Sequence, residues 1–478
     1  MPSAPSADAA PARELAGQAQ GPDTGAGAPD TPARDPAAGS EFPWFDSLRG
    51  IAALMVFTYH VGGAYGGLVG PDSPVQNIAG RLEVALPIFF VISGFLLWRP
   101  FVVARSRGRR LSVRAYAARR ALRIVPAYWV ALIVILLVLG IPEVVADPLR
   151  YFGFVQIYGA ETVTKGIPQA WSLGIEVVFY AMLPLLAWIL TRIPAPSEKR
   201  WLASEVGMLA ACFAFSVAWK VVALLQWDRL IPTDPQRSFA NVGGYLDQLS
   251  LGMLLAVLSV WIFRRGRLPR ALTPLNRFPG IAWAGALVAF IVVSYGIGLS
   301  GWNLQDQTPA QWLARHELNA LIAFLIVVPA AIGNQRQGFL RRRILSNRFL
   351  LYVGLISYSF YIYHVAVGDL MYRWGVGELD EIPLLIRWFV PVFIGTMVVA
   401  SLSFFLVERP FMNMRLKLGR DPARGKEDYE TARRAQQELL SEEAQERRAR
   451  HHDEPGAATE PTAPEVRSDP PGSRPPPR

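Results

Sequence analysis

Long runs of uncharged, apolar residues recur along this chain and constrain its fold more than any other feature. Residues 124–141, 278–305 and 388–407 contain no charged side chain. Spanning a bilayer takes about 20 apolar residues, whereas helices of soluble domains alternate apolar and polar positions. With 52% hydrophobic and 18% charged residues, the sequence predicts an all-α polytopic membrane protein. It excludes a soluble enzyme, a fibrous protein and a disulfide scaffold.

The apolar runs predict about ten transmembrane helices between two polar tails. The tail 1–41 is rich in Ala and Pro and lacks aromatic residues, and 411–478 is charged and then Pro-rich, so we expect both to be disordered. A charged stretch at 427–450 is helix-prone and predicts a solvated surface helix. The predicted core is 42–410, with spans near 46–66, 82–98, 121–141, 171–191, 203–225, 241–263, 280–299, 317–334, 349–371 and 386–408.

Lys and Arg are distributed unevenly between the predicted loops. The loops on one side contain 22 of them and those on the other contain 7, which predicts a plasma-membrane protein with both termini cytoplasmic. A net charge of +10 could suggest nucleic acid binding, but clustering in alternate loops is typical of membrane topology, so no nucleic acid partner is expected. The single Cys212 excludes disulfide frameworks and cysteine metal sites and predicts a buried packing residue.

The first span, FDSLRGIAALMVFTYHVGG, carries two ionisable side chains. Arg49 and His60 are eleven residues apart, about three helical turns and ~16 Å, so they lie on one face. Arg49 could anchor an anionic co-substrate at the cytoplasmic edge, with His60 deep inside as a general base. Alternatively, Arg49 is a topology signal and His60 a structural, hydrogen-bonded residue. The pair alone leaves both interpretations open.

The third span begins with two arginines on one helical face, Arg120 and Arg123. Two guanidiniums at a membrane edge suit a phosphate clamp, because each can bind phosphate oxygens in a bidentate manner. The alternative is again a topology signal. The other arginines of this basic loop are interpreted as topology signals only.

Glu176 lies ~7 Å below Trp171 at the outer end of the fourth span. A carboxylate inside a bilayer needs a partner or a water-filled cavity. Because His60 rises from the inside and Glu176 descends from the outside, we expect them to meet near mid-membrane. A His with a nearby carboxylate suits removal of a proton from a hydroxyl.

The remaining candidates have structural alternatives. His364, in the outer half of the ninth span, could line an acceptor pocket or be a packed histidine, and His316 is assigned no role. Trp171 and Tyr180 could be interfacial or packing aromatics.

Two further motifs receive structural interpretations. Ser93-Gly94 predicts a small-residue helix contact, and Glu408-Arg409-Pro410 predicts an edge ion pair that closes the last helix. No HExxH, GxSxG, Walker or GxGxxG motif occurs in the structural context that its chemistry requires, and no metal site is predicted.

Five motifs occur in order along the chain: FDSLRGIAALMVFTYH, FFVISGFLL, RRALRIVPAYW, WSLGIEVVFY and SYSFYIYH. Together with about ten spans, they resemble the integral membrane acyltransferase-3 family from about residue 45 to 410. The resemblance implies transfer of an acyl group from acyl-CoA to a hydroxyl of a sugar, glycan, lipid or secondary metabolite. The family's basic-x10-His signature falls on Arg49 and His60, and its paired arginines fall on Arg120 and Arg123. Its signature in the fourth span falls on Trp171, Ser172, Leu173, Glu176, Phe179 and Tyr180.

On these grounds we expect an acyl-CoA-dependent membrane O-acyltransferase, with acetyl favoured as the acyl group. The expected acceptor is a glycan, glycolipid or glycoside of the cell envelope. Alternatives are acylation of a small-molecule glycoside such as a macrolide, a transporter or exporter, and a catalytically inactive scaffold. The expected site residues are catalytic His60 and Glu176, donor-binding Arg49, Arg120 and Arg123, and acceptor-binding Trp171, Tyr180 and His364.

Many members of the family carry an appended extracytoplasmic esterase-like domain, which the sequence does not lead us to expect here. Complete acyl delivery would then take place within the membrane core or require a partner protein.

Overall fold

A computed structural model of the chain describes residues 43–64, 74–159, 161–225, 240–265, 268–299, 307–332, 345–376 and 385–417. These residues form helices and turns without a strand, which confirms the all-α class. The bundle consists of α1 (Pro43–Ala64), α2 (Ala85–Ser106), α3 (Val113–Leu139), α4 (Trp171–Thr191), α5 (Glu198–Leu225), α6 (Val242–Arg265), α7 (Gly280–Gly296), α8 (Pro309–Ile332), α9 (Arg348–Leu355), α10 (Ser357–Arg373) and α11 (Ile386–Met414). The connections contain the short helices Pro74–Gly80, Pro142–Ala146, Pro148–Phe152 and Thr273–Arg277.

Each predicted span has a helical counterpart, although not all satisfy the criteria for crossing a membrane. Seven helices of the described chain are long and apolar enough, or eight if α9 and α10 form one span. The apolar α7 is shorter, and α1 carries the polar Asp46, Arg49 and His60. A multi-pass membrane protein is therefore confirmed, and the predicted count of ten is approximate. The tail 1–41 and the stretch 427–450 lie outside the described residues.

The predicted ninth span is a bent pair of helices rather than one straight helix. The axes of α9 and α10 differ by 78°, and the side chain of Asn347 caps the start of α9 by accepting from the amide of Phe349 at 2.8 Å. Packing of α9 against α1 is close, since a Cβ on Gly354 would overlap the carbonyl of Asp46. The bend lets α9 follow α1 while α10 enters the bundle interior with His364 fully buried.

A second close approach joins α2 to α6 and confirms the small-residue contact predicted for Gly94. A Cβ on Gly94 would overlap the carbonyl oxygen of Leu249, and one on Gly252 would overlap that of Val91. Glycines allow helix backbones to approach closely in membranes. This packing fixes the orientation of α2, which carries Ser93.

The predicted orientation can be tested with two exposed positions that are predicted to lie on opposite sides of the membrane. Ala310 lies near the start of α8, in a loop predicted to be outside, and Lys199 lies near the start of α5, in a loop predicted to be inside. In a Cys212→Ser background, which removes the buried native thiol, we expect Ala310→Cys to react with an impermeant thiol reagent in intact cells. Lys199→Cys should react only after the cells are opened. The reverse pattern would invert the topology and exchange the donor and acceptor sides.

Candidate active site

Five of the predicted site residues lie together around one cavity of about 120 Å³. They come from three helices that are distant in sequence: α1, α3 and α4. The wall also contains Ser93 of α2 and Tyr361 of α10, with apolar side chains such as Phe89. The five predicted residues in the lining are Arg49, Arg120, Arg123, Glu176 and Tyr180.

The three arginines give this cavity an excess of positive charge. The Nε of Arg120 is buried and makes no hydrogen bond to the described residues, while its guanidinium lies over the ring of Tyr116, 5.9 Å from the centroid. The Nη1 of Arg123 is 3.9 Å from Oε2 of Glu408, beyond hydrogen-bonding distance, and donates only to the sulfur of Met412 among the described residues, at 2.6 Å. Arg49 is close enough to Arg123 and Glu176 to interact with both electrostatically. Nitrogen donors therefore remain for an anionic ligand.

The predicted edge ion pair between Glu408 and Arg409 is wrong. Glu408 is only 2% exposed and accepts hydrogen bonds from the amide, at 3.1 Å, and the hydroxyl of Ser359. Arg409 instead lies over the ring of Phe405. Adjacent residues on a helix do not face each other, which explains why Glu408 turns inward towards Arg123 and the start of α10.

The carboxylate of Glu176 has partners other than the expected His60. Ser93 donates to Oε1 at 2.8 Å, and the hydroxyl of Tyr180 donates to Oε2 at 2.9 Å. Among the described residues, the structure records no hydrogen bond between Glu176 and His60. Tyr180 lies one turn after Glu176 on α4, a spacing that the sequence displays, but the contact with Ser93 crosses to α2 and left no sequence signal.

The imidazole of His60 is paired with a second imidazole. Nδ1 of His60 is 2.9 Å from Nε2 of His364, and Nδ1 of His364 is 2.7 Å from the carbonyl oxygen of Tyr361. His364 is fully buried, whereas His60 is partly exposed. Sequence reasoning selected both histidines but did not anticipate their contact, because the two spans are 304 residues apart.

Tyr361 connects the histidine pair to the cavity. Its hydroxyl is 2.8 Å from that of Ser172, which also lines the cavity, and it donates to the carbonyl of Gln169 at 3.0 Å. The histidine pair thus lies directly behind a cavity wall residue. Trp171, predicted to bind the acceptor, packs against Tyr245 with ring centroids 5.5 Å apart and is not among the lining residues.

Comparison with known proteins identifies the family of the chain. A family model for an acyltransferase domain, that of the acyltransferase-3 family, matches residues 42–406. A peptidoglycan O-acetyltransferase of Listeria monocytogenes is 24% identical over 387 residues, covering 77% of this chain and 55% of the relative. A Staphylococcus aureus protein named as an O-acetyltransferase is 23% identical over 397 residues, covering 78% and 58%. A Komagataeibacter xylinus protein named as a membrane-bound transacylase is 25% identical over 388 residues, covering 76% and 81%.

The chain spans a little over half the length of the first two of these relatives. No solved structure matches it. The family model nevertheless covers most of the chain and all of the residues that line the cavity. The chain belongs to the acyltransferase-3 family.

Proposed function

We propose that this protein is a membrane O-acyltransferase that takes an acyl group, with acetyl favoured, from acyl-CoA and transfers it to a hydroxyl of a carbohydrate-containing envelope molecule. The observation that carries the proposal is the cavity with three arginines whose wall residue Tyr361 holds the His364–His60 pair. The cavity supplies an anion site, and the pair supplies a base.

The donor side is argued from charge. Buried polar groups are almost always hydrogen-bonded, so the buried Nε of Arg120 without a described partner suits an external acceptor. Guanidinium groups bind phosphate oxygens strongly and in fixed geometry. A volume of about 120 Å³ is smaller than the roughly 300–1,000 Å³ of pockets for whole ligands. The cavity would therefore hold one part of acyl-CoA, with the nucleotide at the end of the bundle predicted to be cytoplasmic.

In the proposed chemistry, the histidine pair supplies the base. His60 removes the proton of the acceptor hydroxyl as its oxygen attacks the thioester carbonyl, which forms the new C–O bond. The C–S bond then breaks, and His60 passes the proton to the CoA thiolate, so that free CoA leaves as the thiol. Glu176, held by Ser93 and Tyr180, would balance the arginine charges and orient Tyr180 at the cavity wall.

The acceptor class is argued from the relatives. The Listeria protein is named for O-acetylation of peptidoglycan, an envelope polysaccharide. A carbohydrate hydroxyl in the envelope is the corresponding acceptor for this chain, and it would approach the partly exposed His60 from the outer side.

The proposal can be tested by mass spectrometry of envelope glycans and lipids from cells with and without the protein. We expect a mass difference of one acyl group on a carbohydrate, and the same product from purified protein supplied with isotope-labelled acetyl-CoA. A difference on a secreted glycoside instead would identify the small-molecule alternative. Uptake of an acceptor by vesicles without acyl-CoA would favour a transporter.

A further inference from the structure

The hydrogen bonds of the histidine pair determine which nitrogen of each ring carries a proton. A carbonyl oxygen can only accept, so the contact with Tyr361 requires Nδ1 of His364 to donate. A neutral imidazole has one donor and one acceptor nitrogen, so Nε2 of His364 accepts. It faces Nδ1 of His60, which must therefore donate. Nε2 of His60 is left unprotonated.

The neutral form of both rings agrees with their surroundings. His364 is fully buried and packs near Phe57, with ring centroids 6.4 Å apart. Neither ring is hydrogen-bonded to a carboxylate within the described part of the chain. A buried charge without a partner is costly, so the neutral pair is the resting state.

We propose that His364 is a positioning residue that fixes the tautomer of His60, so that Nε2 of His60 presents its lone pair to the acceptor hydroxyl. This inference rests on the proposed role of His60 as the base. His364 does for His60 what a carboxylate does for the histidine of a catalytic triad, which is to hold the ring in one tautomer and orientation. Here the holding group is a neutral imidazole, itself fixed by the carbonyl of Tyr361.

The same contact stabilises the charged form of His60 during the reaction. When Nε2 of His60 takes the acceptor proton, the bond from its Nδ1 to His364 becomes charge-assisted and stronger. The proton then leaves from Nε2 of His60 to the thiolate, and His364 keeps its own proton throughout. His364 has no exposed surface with which to touch a substrate, which argues against a role as acceptor ligand or as the base itself.

The tautomer can be measured without an activity assay by nitrogen NMR of the full chain labelled with ¹⁵N-histidine. The chain has five histidines, and the difference spectrum with His60→Gln assigns the His60 signals. We expect wild-type His60 to be neutral with its proton on Nδ1, and His364→Leu to shift it towards the Nε2-protonated form. Wild-type His60 protonated on Nε2 would overturn the inference. An unchanged tautomer in His364→Leu would also overturn it. The backbone of Val56, which also contacts the ring, would then be enough to keep the proton on Nδ1 of His60.

Kinetics of the same variants separate positioning from other roles. Loss of the partner that orients a metal-binding histidine costs about 10–100-fold. By analogy, we expect His364→Leu to lower kcat by about that factor at unchanged KM for donor and acceptor. His364→Gln offers an amide oxygen to Nδ1 of His60 and should recover much of the rate. A raised acceptor KM at wild-type kcat would instead make His364 an acceptor ligand. If His60→Gln remains active, His60 is not the base and the inference fails with it. Absence of acyl transfer by the wild type would instead contradict the proposed function itself.

Discussion

His60→Gln is expected to lower the rate of acyl transfer about 10²–10⁴-fold, the usual contribution of a general base. Glutamine preserves a hydrogen-bonding side chain next to His364 but has no nitrogen that takes up a proton. The arginines of the cavity are untouched, so the affinity for acyl-CoA should remain at the wild-type value. The measurement is turnover of purified protein matched for the folded fraction, together with donor binding by calorimetry.

His316→Gln is the matched control for this experiment. His316 is also a buried histidine in a membrane helix, stacked on Trp312 with centroids 5.1 Å apart and 3.0 Å from Nε2 of Gln248. Its recorded side-chain partners, Gln248, Tyr245 and Trp312, do not line the cavity. The variant should therefore retain turnover per folded molecule. Turnover of His60→Gln within a few fold of wild type would show that His60 is a structural hydrogen-bonding residue.

The fold was largely predictable because each membrane helix is encoded locally. A run of apolar residues of sufficient length specifies a span, and every predicted span has a helical counterpart. The bend between α9 and α10 could not be predicted in this way. It accompanies the close packing of Gly354 against the backbone at Asp46, a contact between segments that are far apart in sequence.

The members of the site were predictable because an ionisable residue is costly within a membrane and therefore rare. This argument selected Arg49, His60, Glu176 and His364, but it cannot tell which of them meet. To predict whether His60 and Glu176 are in contact, one must know the depth of each residue in the membrane and the rotation of each helix about its axis. The sequence supplies only an estimate of the depth. In the structure, Glu176 accepts hydrogen bonds from Ser93 and Tyr180, and His60 is hydrogen-bonded to His364.

Glu408 illustrates the same limit beside the cavity. Its position next to Arg409 suggested a local ion pair, since sequence shows only neighbours along the chain. In the folded protein it is buried against Ser359 and faces Arg123. The charge of Arg123 is thus partly balanced by a carboxylate from the last helix, about 285 residues away in sequence.

The replacement of Arg120 and Arg123 together by Gln is expected to raise the Kd for acyl-CoA about tenfold or more. Charge-assisted hydrogen bonds contribute ~1.5–3 kcal/mol each, and a tenfold change in affinity corresponds to about 1.4 kcal/mol. The measurement is calorimetric binding of acetyl-CoA to the purified double variant. A matched control is Arg114→Gln with Arg200→Gln, which removes the same charge from two exposed arginines predicted to lie on the same side of the membrane.

The single variants distinguish donor binding from a structural role of the arginines. The structure records no ion pair between Arg120 and a described residue, so Arg120→Gln should weaken binding of acetyl-CoA without lowering Tm. Arg123→Gln should do both, because it leaves the buried carboxylate of Glu408 without its facing cation. The affinity of the wild type for acetyl-CoA should fall as the salt concentration rises, because the contacts that the variants lose are electrostatic. Equal affinity of wild type and double variant at low salt would reduce both arginines to topology signals and move the donor site elsewhere.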